Sequence, residues 1–84
     1  MLTLDLTRLG NAIRSSRIAA GLSQDAAAKV AGISQSYLSF LESGKKEATT
    51  TVLVDLARAV GSEAHVWIRA AVVEVDQVDV VGRD

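Results

Sequence analysis

Glycines at positions 10, 21, 32, 44 and 61, in a chain with no proline, place the tightest constraint on how this sequence folds. Glycine takes the left-handed backbone that closes helices and proline would break them, so the spacing predicts short helices ended by Gly21, Gly32, Gly44 and Gly61. A first helix is expected from a Thr7 cap to Ala20, with Leu6, Leu9, Ile13, Arg17 and Ala20 recurring along one face. Ser23 is placed to cap a second helix, Gln24 to Ala31, and Ser34 a third, Gln35 to Ser43. After a polar loop, a fourth helix begins at Thr50 or Thr51, ends before Gly61 and turns Leu53, Leu56, Ala57 and Val60 inward. Ser62 is expected to cap a fifth, which carries Trp67 and Ile68.

Both ends carry a second periodicity. Leu2, Leu4 and Leu6 alternate with polar residues, as do Val73, Val75, Val78 and Val80 around Glu74, Asp76 and Asp79, which is the pattern of a strand. Valine is β-branched and favours that reading. Ile68, Val72, Val75 and Val78 equally continue a helix, so the C-terminal extension stays open between a β-strand and a continued helix. Either form exposes valines to a partner.

Composition removes several classes of function. At 84 residues the chain is expected to form one domain, and its 49% hydrophobic content suits a globule and argues against disorder. Zero cysteines exclude disulfides, thiolate zinc sites and thiol nucleophiles, and a single histidine leaves no material for a metal cluster or a catalytic triad. Neither an enzyme nor a cofactor is expected. No apolar run reaches the roughly 18 residues of a membrane helix, and the start MLTLDL lacks the basic segment of a signal peptide, so the expected location is the cytoplasm, without membrane contact. The net charge of −1 hides an asymmetry: residues 1–46 carry six basic and three acidic side chains, and residues 47–84 three basic and seven acidic. A basic face can therefore meet phosphates while an acidic end points elsewhere.

The most informative stretch is 24–43, QDAAAKVAGISQSYLSFLES, in which a short helix, a glycine turn and a second helix follow closely. Ala27, Ala28 and Ala31 allow the two helices to approach, Gly32 makes the turn, and Ile33, Leu38 and Leu41 anchor the second helix inward. Gln35, Ser36, Tyr37, Ser39 and Phe40 are left on its N-terminal and outer part, the part that enters a major groove in such motifs.

With these residues in view, the chain resembles the helix-turn-helix domains of the lambda repressor and Cro family, also called the xenobiotic-response-element family. The resemblance runs from about Leu9 to Trp67 and rests on RIAAGLSQ, AGISQSYLSFLESGKK and LARAVG. It implies five helices, with the third as recognition helix and the second lying across the DNA backbone. It also implies that Gln24 contacts a phosphate and Gln35 reads a base, that Ser36, Tyr37, Ser39 and Phe40 face DNA beside them, and that Lys45 and Lys46 belong to a phosphate-contacting loop. Arg17 and Glu42 occupy positions that pair in the family and are read as a structural ion pair.

Chemistry bears on the same residues. A glutamine amide pairs bidentately with adenine N6 and N7, which suits Gln35, and an exposed phenyl such as Phe40 fits a thymine methyl or a ribose face. The competing role for Phe40 is packing against the fourth helix. The Tyr37 hydroxyl bonds a phosphate or solvent, Ser34 is a helix cap whose hydroxyl is also free to serve a phosphate, and Arg8 and Arg14 either track phosphates or form a solvated face. His65 and Trp67 are read as core or interface groups. Three departures from the family pattern concern packing: Ala27 stands where leucine is usual, leaving volume for a neighbour such as Trp67, Thr50 replaces an apolar residue, and the loop before it lacks its common proline.

The resulting expectation is an all-α, compact five-helix DNA-binding domain over residues 1–71 with its motif at 24–43, followed by an acidic, valine-rich extension at 72–84 for dimerisation or partner binding. One domain of this size makes few contacts with double-stranded DNA, so a homodimer on a palindromic operator is expected, with Trp67 and the exposed valines as its interface. Binding at a promoter would obstruct polymerase and repress, as in a phage Cro-like or immunity regulator or a restriction-modification controller. The alternative is an antitoxin that regulates its own promoter and binds a toxin, or another co-regulator, through 72–84.

Overall fold

The computed structural model describes residues 1–75. The elements in order are β1 (Leu2–Leu4), α1 (Leu6–Ala19), α2 (Gln24–Ala31), α3 (Gln35–Glu42), α4 (Thr50–Ala59), α5 (Ala64–Ala71) and β2 (Val72–Glu74). Four of the helices start on a side-chain cap: the oxygens of Asp5, Ser23, Ser34 and Thr49 accept from the backbone N–H of Arg8, Ala26, Tyr37 and Val52 at 3.0–3.2 Å. Gly21, Gly32, Gly44 and Gly61 all adopt φ between +70° and +76°, as their placement after helices predicts.

Two expected caps differ. Asp5, in extended conformation, caps α1 in place of Thr7, so the helix begins at Leu6. Thr7 instead packs against Gly44, where an added Cβ would come within 2.9 Å of the Thr7 Cα. Ser62 does not cap α5: the helix starts after Glu63, which makes no side-chain cap bond. Ala20 lies beyond the last turn of α1 and is exposed, so the buried stripe of that helix stops short of it.

The core is one cluster built from Leu9 and Ile13 of α1, Ala27, Ala28 and Ala31 of α2, Leu38 and Leu41 of α3, Leu53, Leu56 and Ala57 of α4, Val60, and Trp67 and Ala71 of α5. Helix α1 packs on α3 and α5, while α2 packs on α3 and α4. Trp67 is only 1% exposed, and its indole Nε1 donates to Ser16 Oγ at 2.9 Å. This corrects its expected place in a partner interface: the ring belongs to the same buried cluster as Ala27 and joins α5 to α1. His65 is exposed and is not a core group.

At the ends the strand periodicity prevails. Val72 leaves the helix in an extended conformation, and β2 pairs antiparallel with β1 in the register Leu2↔Glu74, Thr3↔Val73 and Leu4↔Val72. The Asp5 N–H donates to the Ala71 carbonyl at 2.8 Å and the Val75 N–H to the Met1 carbonyl at 2.7 Å, so the ladder continues on both sides. The fold is therefore the expected compact five-helix domain, and its C-terminal extension begins as a β-strand rather than as a continued helix. Val78 and Val80 lie outside the described residues. No described helix is long and apolar enough to cross a membrane. Among the described residues, no group of three or more His, Asp or Glu side chains is placed to hold a metal ion.

Candidate nucleic-acid interface

The helix-turn-helix is set by its turn. Gly32 at φ +75° sends its N–H back to Lys29, the Ile33 N–H reaches Ala28, and Ser34 then caps α3. With Leu38 and Leu41 buried beneath it, α3 presents Gln35, Ser36, Ser39 and Phe40 to solvent. These four residues and Gln24 line one open depression of about 350 Å³. Five expected DNA-facing residues thus converge, four on one helix face and one from the start of α2.

The remaining candidates stand around that depression. The Ser34 hydroxyl accepts the cap bond from Tyr37 N–H at 3.0 Å. Tyr37 is half-buried, packs against the core and donates its hydroxyl proton to the Glu47 carbonyl at 3.0 Å, which ties α3 to the following loop. That contact replaces the phosphate or solvent partner expected of the hydroxyl. Lys45 and Lys46 are exposed just beyond Gly44, and Lys46 Nζ lies 5.2 Å from the centroid of the Phe40 ring. Phe40 remains 40% exposed, so it is not packed away against α4. Arg14 is exposed on α1, and the Arg8 guanidinium lies a long 3.8 Å from the Asp5 carboxylate.

Behind this face lies a charged clamp. Arg17 Nε donates to Glu42 Oε2 at 2.7 Å and Nη2 to Oε1 at 3.0 Å, a two-bond fork between guanidinium and carboxylate. The third donor, Nη1, reaches the Leu22 carbonyl at 2.8 Å, and Gln24 Nε2 donates to Glu42 Oε1 at 3.0 Å. The side chains of Arg17 and Glu42 are 11% and 3% exposed. Hydrogen bonding to Glu42 holds the guanidinium above its ordinary pKa; burial acts against this and the charge of Glu42 adds to it. The end of α1, the turn after it, the start of α2 and the end of α3 meet at this one ion pair.

Gly10 completes the arrangement. It is buried inside α1, and a Cβ there would fall on the carbonyl oxygens of Leu41 and Glu42, so α1 and the end of α3 touch backbone to backbone. Sequence reasoning missed this contact, the Gln24–Glu42 and Tyr37–Glu47 bonds, and the Lys46–Phe40 stacking. A glycine at a helical position away from any turn is the one signal that points to such an approach.

Comparison with known proteins agrees with this geometry. The HTH_3 family model, described as helix-turn-helix, matches residues 13–67. Among solved structures, the restriction-modification controller protein C.AhdI from Aeromonas hydrophila is 32% identical with a TM-score of 0.72, the match covering 75% of this chain and 96% of that one. The clp gene regulator ClgR from Corynebacterium glutamicum is 31% identical with a TM-score of 0.75, over 81% of this chain and 72% of that one. The restriction-modification controller protein C.Esp1396I, at 18% identity and a TM-score of 0.70, is a likeness of fold alone. No curated protein matches the sequence.

Proposed function

This chain belongs to the HTH_3 helix-turn-helix family, and on that premise we propose that it is a repressor that binds a palindromic operator as a homodimer. Helix α3 enters the major groove, with Gln35 as the main base-reading side chain and half-sites about one helical turn, or 34–36 Å, apart. The observation that carries this reading is the single exposed face of Gln35, Ser36, Ser39 and Phe40, backed by the buried Arg17–Glu42 fork. Preorganised groups on a rigid element lose little entropy on binding. Gln24, Lys45 and Lys46 supply phosphate contacts that position the helix and carry no sequence information themselves. No catalytic step is assigned to the chain.

A controller of a restriction-modification system is the favoured biological role, because the similarity to C.AhdI extends over 96% of that protein's chain. An antitoxin would use 72–84 to hold its toxin. The first three of those residues pair with β1, and this favours a structural role at least for that part.

The test is selection from a random duplex pool with the purified protein, followed by affinity against salt for the winning sequence, its scramble and Gln35→Ala. A palindromic winner that loses its advantage in Gln35→Ala supports the proposal. Equal binding to winner and scramble refutes it.

A further inference from the structure

Each of the chain's three aromatic types occurs once, and two of the rings are committed to the fold. Trp67 is buried and bonded to Ser16, and Tyr37 is bonded to the Glu47 carbonyl. Phe40 is the exception, being 40% exposed on the recognition helix although an open phenyl ring gains nothing from water. Its neighbours in the depression, Gln24, Gln35, Ser36 and Ser39, are all polar, so it is the one apolar wall of that site. Lys46 lies over the ring, and a cation on the π-face restrains the orientation of an otherwise mobile surface side chain.

The chemistry of the base edges gives this arrangement a use. Amide and hydroxyl groups read donors and acceptors, which are identical in thymine and uracil and in cytosine and 5-methylcytosine. Only an apolar contact distinguishes those pairs, because they differ by one methyl group at C5 in the major groove. We infer that Phe40, held by Lys46, is a specificity-determining residue that reads the C5-methyl group of a pyrimidine. Operator affinity then depends on the methylation of that base as well as on its identity. The inference rests on the DNA-binding reading above and deepens it.

The experiment uses the full chain and the duplex selected from the random pool. Each thymine is replaced in turn by deoxyuridine, and duplexes carrying cytosine or 5-methylcytosine at the sensitive position are compared. Loss of one buried methyl is expected to weaken wild-type binding about fourfold, at a corresponding position in each half-site, for both pairs of bases. In Phe40→Ala the two members of each pair should bind equally, and Phe40→Leu should retain part of the difference. Wild-type binding that ignores uracil at every position, yet still discriminates winner from scramble, overturns the inference and leaves the regulator reading intact. The same outcome follows if Phe40→Ala keeps the full methyl preference. A thymine effect without a methylcytosine effect overturns the dependence on cytosine methylation. Failure to distinguish winner from scramble removes the regulator reading itself, and this inference with it.

Discussion

Arg17 and Glu42 face each other across the helix-turn-helix through two N–H···O bonds of 2.7 and 3.0 Å, and neither residue touches the exposed face of α3. Arg17 also holds the Leu22 carbonyl, and Glu42 also receives the Gln24 amide, so one buried pair sets the relative position of three helices. A carboxylate at this depth is tolerable because Arg17 and Gln24 together donate three hydrogen bonds to it.

Breaking this pair should therefore cost stability. Arg17→Met or Glu42→Ala leaves an uncompensated buried charge and is expected to lower the unfolding free energy by about 3–5 kcal/mol, with a smaller loss in a double variant that replaces both by apolar residues. Because the folded-state pKa of Arg17 is raised, its contribution is complete below the ordinary arginine range and is lost only as pH rises through the folded-state value. Urea unfolding of wild type and Arg17→Met should accordingly give the same difference at about pH 7 and about pH 9. A double variant as unstable as the singles would refute the account.

Gly10→Ala separates two opposing effects. Helix propensity alone would stabilise α1 by about 1 kcal/mol, whereas a methyl group driven onto the Leu41 and Glu42 carbonyls forces α1 and α3 apart. The second effect should win, giving a net loss of about 1–3 kcal/mol in urea unfolding. A stabilised variant would show that the helices do not meet here.

Trp67 holds α5 on α1 by volume more than by its hydrogen bond. Ser16→Ala should cost about 1 kcal/mol and Trp67→Ala about 3–5 kcal/mol in thermal or urea unfolding. The oligomeric state of Ser16→Ala, measured by sedimentation, should match that of wild type, since the bond lies within one chain. A change in assembly would contradict the burial of this ring.

The two kinds of DNA contact should separate in titrations. Lys45→Ala should weaken binding to winner and scramble alike and reduce the salt slope by about 1. Gln35→Ala should leave the slope almost unchanged and remove about 1–3 kcal/mol of discrimination at one base pair. The reverse pattern would exchange the roles assigned to these side chains.

Signals that act within one helical turn were legible in the chain. Ser23 and Ser34 cap α2 and α3 as their placement before each apolar run implies, the four turn glycines adopt positive φ, and Leu53, Leu56, Ala57 and Val60 form the buried stripe of α4. The exposed face of α3 was readable for the same reason, because its inward anchors Leu38 and Leu41 leave Gln35, Ser36, Ser39 and Phe40 outside.

Local pattern could not choose where two patterns fitted equally. At α1 the local signal misled: Asp5 caps the helix, and the expected cap Thr7 packs against Gly44. Ile68, Val72 and Val75 suit a helix as well as Val73 and Val75 suit a strand, and the strand forms because Leu2–Leu4 lies alongside to accept the pairing. Trp67, Gln24 and Phe40 likewise take their roles from Ser16, Glu42 and Lys46, residues brought near by the fold. Backbone conformation within a turn depends on neighbours in sequence, whereas the burial and bonding partners of a side chain depend on segments many residues away, and these are settled only when the helices pack.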